Sequence, residues 1–149
     1  MPDQLDPQSP PTLPGGRRLR SAAAILAGIV AGIVTSLGAD TALRAAGVFA
    51  PLGQSMPDSL FLLAAAHRTL FGVACSWLTA RLAPQRPMAH ALILGALGFV
   101  VAIAGAAVTW DKGRDFGPKW YPLALVVLAM PQSWLGGKLG ELQLRPARP

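Results

Sequence analysis

The chain has 149 residues and a formal net charge of +6, with 52% hydrophobic and 13% charged residues, where a soluble domain carries about 25% charge. Residues 21–39, 87–110 and 120–137 hold no Asp, Glu, Lys or Arg, giving runs of 19, 24 and 18 residues; each is near the length at which a helix crosses a hydrocarbon core of about 30 Å. These runs exclude a soluble disordered, disulfide-framed or nucleic-acid-binding protein and define an all-α integral membrane protein.

In chain order, residues 1–20 begin with five prolines and a Gly15-Gly16 pair and end on Arg17, Arg18 and Arg20. So little apolar surface does not offset chain entropy, and a disordered tail is expected. The first apolar run exceeds the about 7–15 residues of a signal-peptide core, so it reads as an uncleaved first helix. A transmembrane domain is expected over 21–138, with helices at about 21–44, 59–80, 88–110 and 119–138, followed by a tail at 139–149. The second helix carries His67 and Arg68 near its middle. A central Arg costs about 2.5–3.5 kcal/mol on insertion scales, which Leu60, Phe61, Leu62, Leu63, Leu70, Phe71 and Val73 offset. The fourth contains Pro131, whose missing N–H frees the Val127 carbonyl and predicts a kink.

Four helices place both termini on one side. With the termini inside, eight cations flank the inner helix ends (Arg17, Arg18, Arg20, Arg81, Arg86, Lys138, Arg145, Arg148) and four lie outside (Arg44, Lys112, Arg114, Lys119). The positive-inside rule therefore predicts a four-transmembrane-helix bundle with both termini cytoplasmic. Trp110, Trp120 and Tyr121 at the outer ends, with Trp77 and Trp134 near the inner ends, form the expected aromatic belts.

Small residues recur on the helix faces. Gly28 and Gly32 form a GxxxG pair in helix 1; Ala64, Arg68, Gly72, Ser76 and Thr79 share a stripe in helix 2; helix 3 offers Gly95, Gly98, Ala102, Gly105 and Ala106. Such stripes let backbones approach closely, either within one chain or across a homodimer face. They predict a tight bundle with little room for a large central ligand.

The ionisable residues at membrane depth are the main functional lead, because such charge faces protein or water and pairs with something. Asp40 lies near the outer end of helix 1, and Arg68 lies about 15 Å below the outer surface by the 1.5 Å rise. An interhelical Asp40–Arg68 pair is expected, with Arg44 as an alternative partner for Asp40 one turn along. Such a pair either neutralises charge and sets helix register, or forms with His67 a polar site for an anion or a proton step.

His67 and His90 fall at different depths, which argues against a bis-imidazole haem, and no Cys/His/Asp cluster supplies a metal set. Cys75 stands alone and reads as a small buried hydrophobe. Gln132 and Ser133 follow Pro131, where a bent helix could expose a polar site or simply satisfy its own freed carbonyl. No phosphate-binding loop, nucleophile elbow, zinc motif or carboxylate pair appears, so the chain reads as a non-enzyme without a cofactor.

The segments Ala66-His67-Arg68, Leu82-Ala83-Pro84, Pro87-Met88-Ala89-His90-Ala91, Gly117-Pro118-Lys119-Trp120-Tyr121-Pro122 and Met130-Pro131-Gln132-Ser133-Trp134-Leu135-Gly136-Gly137 resemble small uncharacterised four-helix membrane proteins of bacteria. The resemblance covers about residues 20–140 and implies the fold without a function. Ten Arg against three Lys agree with a GC-rich bacterial source, and hence with an inner-membrane location. The first functional expectation is a structural or assembly component that meets the lipid bilayer and a second copy or another membrane protein, with no nucleic acid. The alternative is a small transporter or permease subunit using Asp40, His67 and Arg68.

Overall fold

The computed structural model describes residues 14–144 and is all-helical apart from its connections. Four long helices, α1 (Pro14–Ala45), α2 (Asp58–Leu82), α3 (Pro87–Thr109) and α4 (Trp120–Leu144), follow one another, and a 3-10 turn at Arg114–Phe116 lies in the last connection. Three of them, α1 from Gly16, α2 and α3, are long and apolar enough to cross a membrane. α4 has the length but is diluted by Pro122, Pro131, Gln132, Ser133 and glycines.

The helix ends depart from expectation at two places. α1 is already helical at Pro14, the first described residue, rather than from 21, so residues 14–20 are helical and not part of a disordered tail. The Arg and Leu residues at 17–20 are good helix formers. The expected disorder of residues 1–13 lies outside the described residues. α4 runs to Leu144 rather than 138, because its last turns pack on α2. An added Cβ at Gly140 would lie 2.7 Å from Ala80 Cβ, and Gln143 Oε1 accepts from both Trp77 Nε1 and Arg81 Nη1 at 2.9 Å. The tail beyond 144 also lies outside the described residues.

α4 makes the most extensive interfaces, with α2 and with α3, and α1 lies on α2 and, less extensively, on α3. The close approaches are made by glycine. A Cβ on Gly136 would fall 2.3 Å from the Val73 carbonyl oxygen, and one on Gly28 would fall 2.0 Å from Thr79 Oγ1. Gly72 receives the Gln132 side chain, Gly95 faces Ser133, and Gly32 lies within van der Waals distance of Cys75 Sγ. A buried hydroxyl chain joins α2 to α4: Ser76 Oγ donates to Ser133 Oγ at 3.2 Å, which donates to the Ala129 carbonyl at 2.9 Å. That bond serves Ala129 rather than the Val127 carbonyl freed by Pro131, and α4 continues as one helix through the proline.

The stripe on α3 divides. Gly95 packs, whereas Gly98 and Gly105 have nothing within 4 Å of an added Cβ and are exposed. Within this chain, Gly98 packs against no neighbouring helix among the described residues. At its first turns α3 is held to α4 by contacts of Gly137 with Ala91 and Met88, and near its other end Ala106 is buried, but nothing meets an added Cβ at Gly98 or Gly105 between them. The expected tightness is therefore interrupted along this stripe.

The connection from α3 to α4 closes on α2. Gly117 has φ +106°, and an added Cβ there would lie 2.7 Å from Phe61 Cε1. Gly117→Ala thus meets both a left-handed backbone and a buried ring, and should cost about 1–3 kcal/mol in equilibrium unfolding of the purified chain in micelles.

Candidate functional site

The site gathers where the C-terminal part of α1 packs on the N-terminal half of α2. Asp40 falls on the α1 face turned to α2 and is buried, with 6% of its surface exposed. Its Oδ2 accepts a hydrogen bond from Arg68 Nη2 in a salt bridge. The expected interhelical pair is therefore present in the structure. Asp40 Oδ1 faces His67 Nε2 at 3.2 Å, in a contact too poorly aligned to count as a hydrogen bond. The other ring nitrogen, Nδ1, lies 3.1 Å from the Leu63 carbonyl oxygen. Both nitrogens of His67 thus face acceptors. A neutral imidazole has one N–H, which the Leu63 carbonyl is placed to accept.

An aromatic wall surrounds these groups. The ring of His67 stands 6.2 Å from Phe49 and 5.7 Å from Phe71, and Phe61 stands 5.2 Å from Tyr121. Phe49 is buried and brings the loop after α1 over the site. Removing water from around an ion pair strengthens its Coulomb attraction and also raises the cost of any charge left unpaired.

Arg44 is such a charge. Among the described side chains no carboxylate lies within ion-pair distance of it, and its Nε is buried without a partner, as is the Nε of Arg68. The alternative Asp40–Arg44 pairing is not the one formed, since the carboxylate is engaged across the helix interface instead. Among the described side chains the site holds one carboxylate and two guanidinium groups, an excess of positive charge.

Two cavities meet at Arg68. One, of about 250 Å³, is lined by Asp40, Arg44, Phe61, Tyr121 and the loop from Phe49 to Met56. The other, of about 390 Å³, lies among the four helices, lined by Ser36, Gly98, Ala102, Gly105, Leu125 and Gln132 among others. Arg68, Phe116 and Tyr121 line both.

Of the sequence-derived candidates, Asp40, His67 and Arg68 come together. The packing glycines Gly28, Gly32, Gly72 and Gly95 lie elsewhere in the bundle, and His90 lies at the other end of it, its Nδ1 3.2 Å from the Arg86 carbonyl. Two residues of the site were not foreseen in these roles. Tyr121 read as an interfacial belt residue, and Arg44 as a partner of Asp40; its spacing of four residues from Asp40 was the available signal. Outside the site, Asp58 accepts from Trp120 Nε1 at 3.2 Å and pairs with Arg114 at 3.5 Å, tying the start of α2 to the α3–α4 connection.

No family model matches this chain, and no curated protein or solved structure matches it.

Proposed function

We propose that this chain is a four-span protein of a bacterial inner membrane, with both termini cytoplasmic, and that it acts as a small transporter or permease subunit through the Asp40–His67–Arg68 site. The observation carrying this reading is the position of Arg68, salt-bridged to a buried carboxylate and shared by two cavities. A pair serving only to set helix register needs no chamber on either side.

The fourth span is supported by the sidedness of α4. Its small and polar residues Ser133, Gly136, Gly137 and Gly140 are buried, while Leu123, Val127, Met130, Leu135 and Leu142 are exposed. Averaging the two faces lowers the hydropathy of a helix whose outward face is apolar. The cation asymmetry at the helix ends supports the orientation. Self-assembly through glycine faces has less support, because Gly28, Gly72, Gly95, Gly136, Gly137 and Gly140 are occupied within the chain.

Solid-supported-membrane electrophysiology on proteoliposomes tests the reading, with acetate, lactate, benzoate and tetramethylammonium as solutes. At least one should drive a charge displacement that Asp40→Asn/Arg68→Gln abolishes while helical content and monodispersity stay unchanged. Equal currents in the double variant, or no protein-dependent current with any solute, would overturn it.

A further inference from the structure

The two cavities differ in character in a way that specifies a ligand. The smaller holds the excess positive charge: Arg44 has no carboxylate partner among the described side chains, and the Nε groups of Arg44 and Arg68 are buried without acceptors. Both side chains are half-buried, and a guanidinium N–H buried without an acceptor is costly unless an anion supplies one. Two such groups offer a planar, multidentate set of donors suited to carboxylate or phosphate oxygens. The larger cavity shares Arg68, Phe116 and Tyr121 with this one; the rest of its lining is mostly apolar, with Gly98, Ala102, Leu125 and Leu128, and its other polar groups, Ser36, Thr109 and Gln132, are uncharged.

We propose that the outer half of the bundle binds an amphipathic anion, its carboxylate or phosphate head held by Arg44 and Arg68 and its apolar body lying in the chamber between α3 and α4. This rests on the reading of the Asp40–His67–Arg68 site as a solute site and names its substrate class. Asp40 occupies one face of Arg68 and leaves the rest of that guanidinium, with the whole of Arg44, for the ligand. The glycines of α3 keep the chamber open: with side chains at 98 and 105, the same wall would fill it.

Equilibrium dialysis of radiolabelled decanoate and decyl phosphate against the full chain in nanodiscs, corrected for empty nanodiscs, tests the assignment. One or both should bind saturably, and the preference between them identifies the head group. Decanol, acetate and inorganic phosphate should bind at least about tenfold more weakly, as expected when a charge-assisted hydrogen-bond set or the apolar body is absent. Arg44→Gln should lower affinity about tenfold or more, with Arg44→Lys partly restoring it. Among the described side chains no ion-pair partner of Arg44 would be orphaned, so folding should survive its replacement. Gly98→Leu, at a position with free space around it, should weaken the decyl compounds by filling the chamber. Decanol binding as tightly as decanoate, or Arg44→Gln leaving affinity unchanged, would overturn the proposal. Tetramethylammonium currents that depend on Asp40 and Arg68, without decyl-anion binding, would remove the substrate class and leave the transport reading standing; saturable decanoate binding without any current would do the reverse.

Discussion

Arg68→Leu alone should destabilise the bundle by about 3 kcal/mol, because it leaves a buried carboxylate without its counter-charge. Asp40→Leu/Arg68→Leu should cost much less, about 1 kcal/mol or below, since two well-packed apolar groups replace a buried pair at little net loss. The two results together form most of a double-mutant cycle, completed by Asp40→Leu, and the coupling energy should exceed about 1 kcal/mol for groups in direct contact. Unfolding in mixed micelles followed by helical signal gives the three differences. Additive single effects would show that the salt bridge contributes nothing beyond its separate side chains. The asymmetry follows from burial: Asp40 is 6% exposed, while the Arg68 side chain keeps 35% of its surface and can turn into a cavity when its partner is removed.

Gly136→Ala and Gly98→Ala should differ sharply although both are glycine-to-alanine changes within helices. At Gly136 the new methyl would lie 2.3 Å from the Val73 carbonyl oxygen, 2.7 Å from Ser76 Cβ and 2.8 Å from the Trp77 backbone nitrogen. Two of those atoms are backbone and cannot turn aside, so α2 and α4 must separate, at a cost of about 1–3 kcal/mol or more. At Gly98 nothing lies within 4 Å, and the substitution should be neutral or stabilise by up to about 1 kcal/mol through helix propensity. Thermal denaturation of the two variants side by side in one detergent checks this. Equal losses would mean that the face of α3 around Gly98 is covered after all.

The contrast between these glycines also shows where sequence reasoning stops. Charge-free runs and the histidine and arginine within α2 are properties of the chain itself, so the helices and the place of Arg68 within α2 were legible. So was the Asp40–Arg68 pair, because consecutive antiparallel helices must bring residues of similar depth together. Gly95 and Gly98, in contrast, belong to one small-residue stripe, and only the placement of α4 decides that the first is covered and the second open. The same holds for Arg44: its spacing from Asp40 permits a pair, and the outcome depends on a competing guanidinium from another helix. The end of α4 was misplaced because Gly140 and Gln143 are held by α2, an interaction that hydropathy along α4 does not contain.

The Asp40–Arg68 contact has a consequence for how the chain enters the bilayer. The two residues are 28 positions apart, so α1 and the connecting loop have been synthesised when Arg68 emerges. An arginine near the centre of a span is disfavoured by about 2.5–3.5 kcal/mol in insertion. A carboxylate on the preceding helix, within salt-bridge reach of Arg68, lowers that barrier for α2 but not for α2 presented to the membrane alone. On the four-span reading proposed above, α2 should therefore integrate more efficiently behind α1 than by itself, and less so behind an Asp40→Asn α1, which glycosylation mapping of the segments measures.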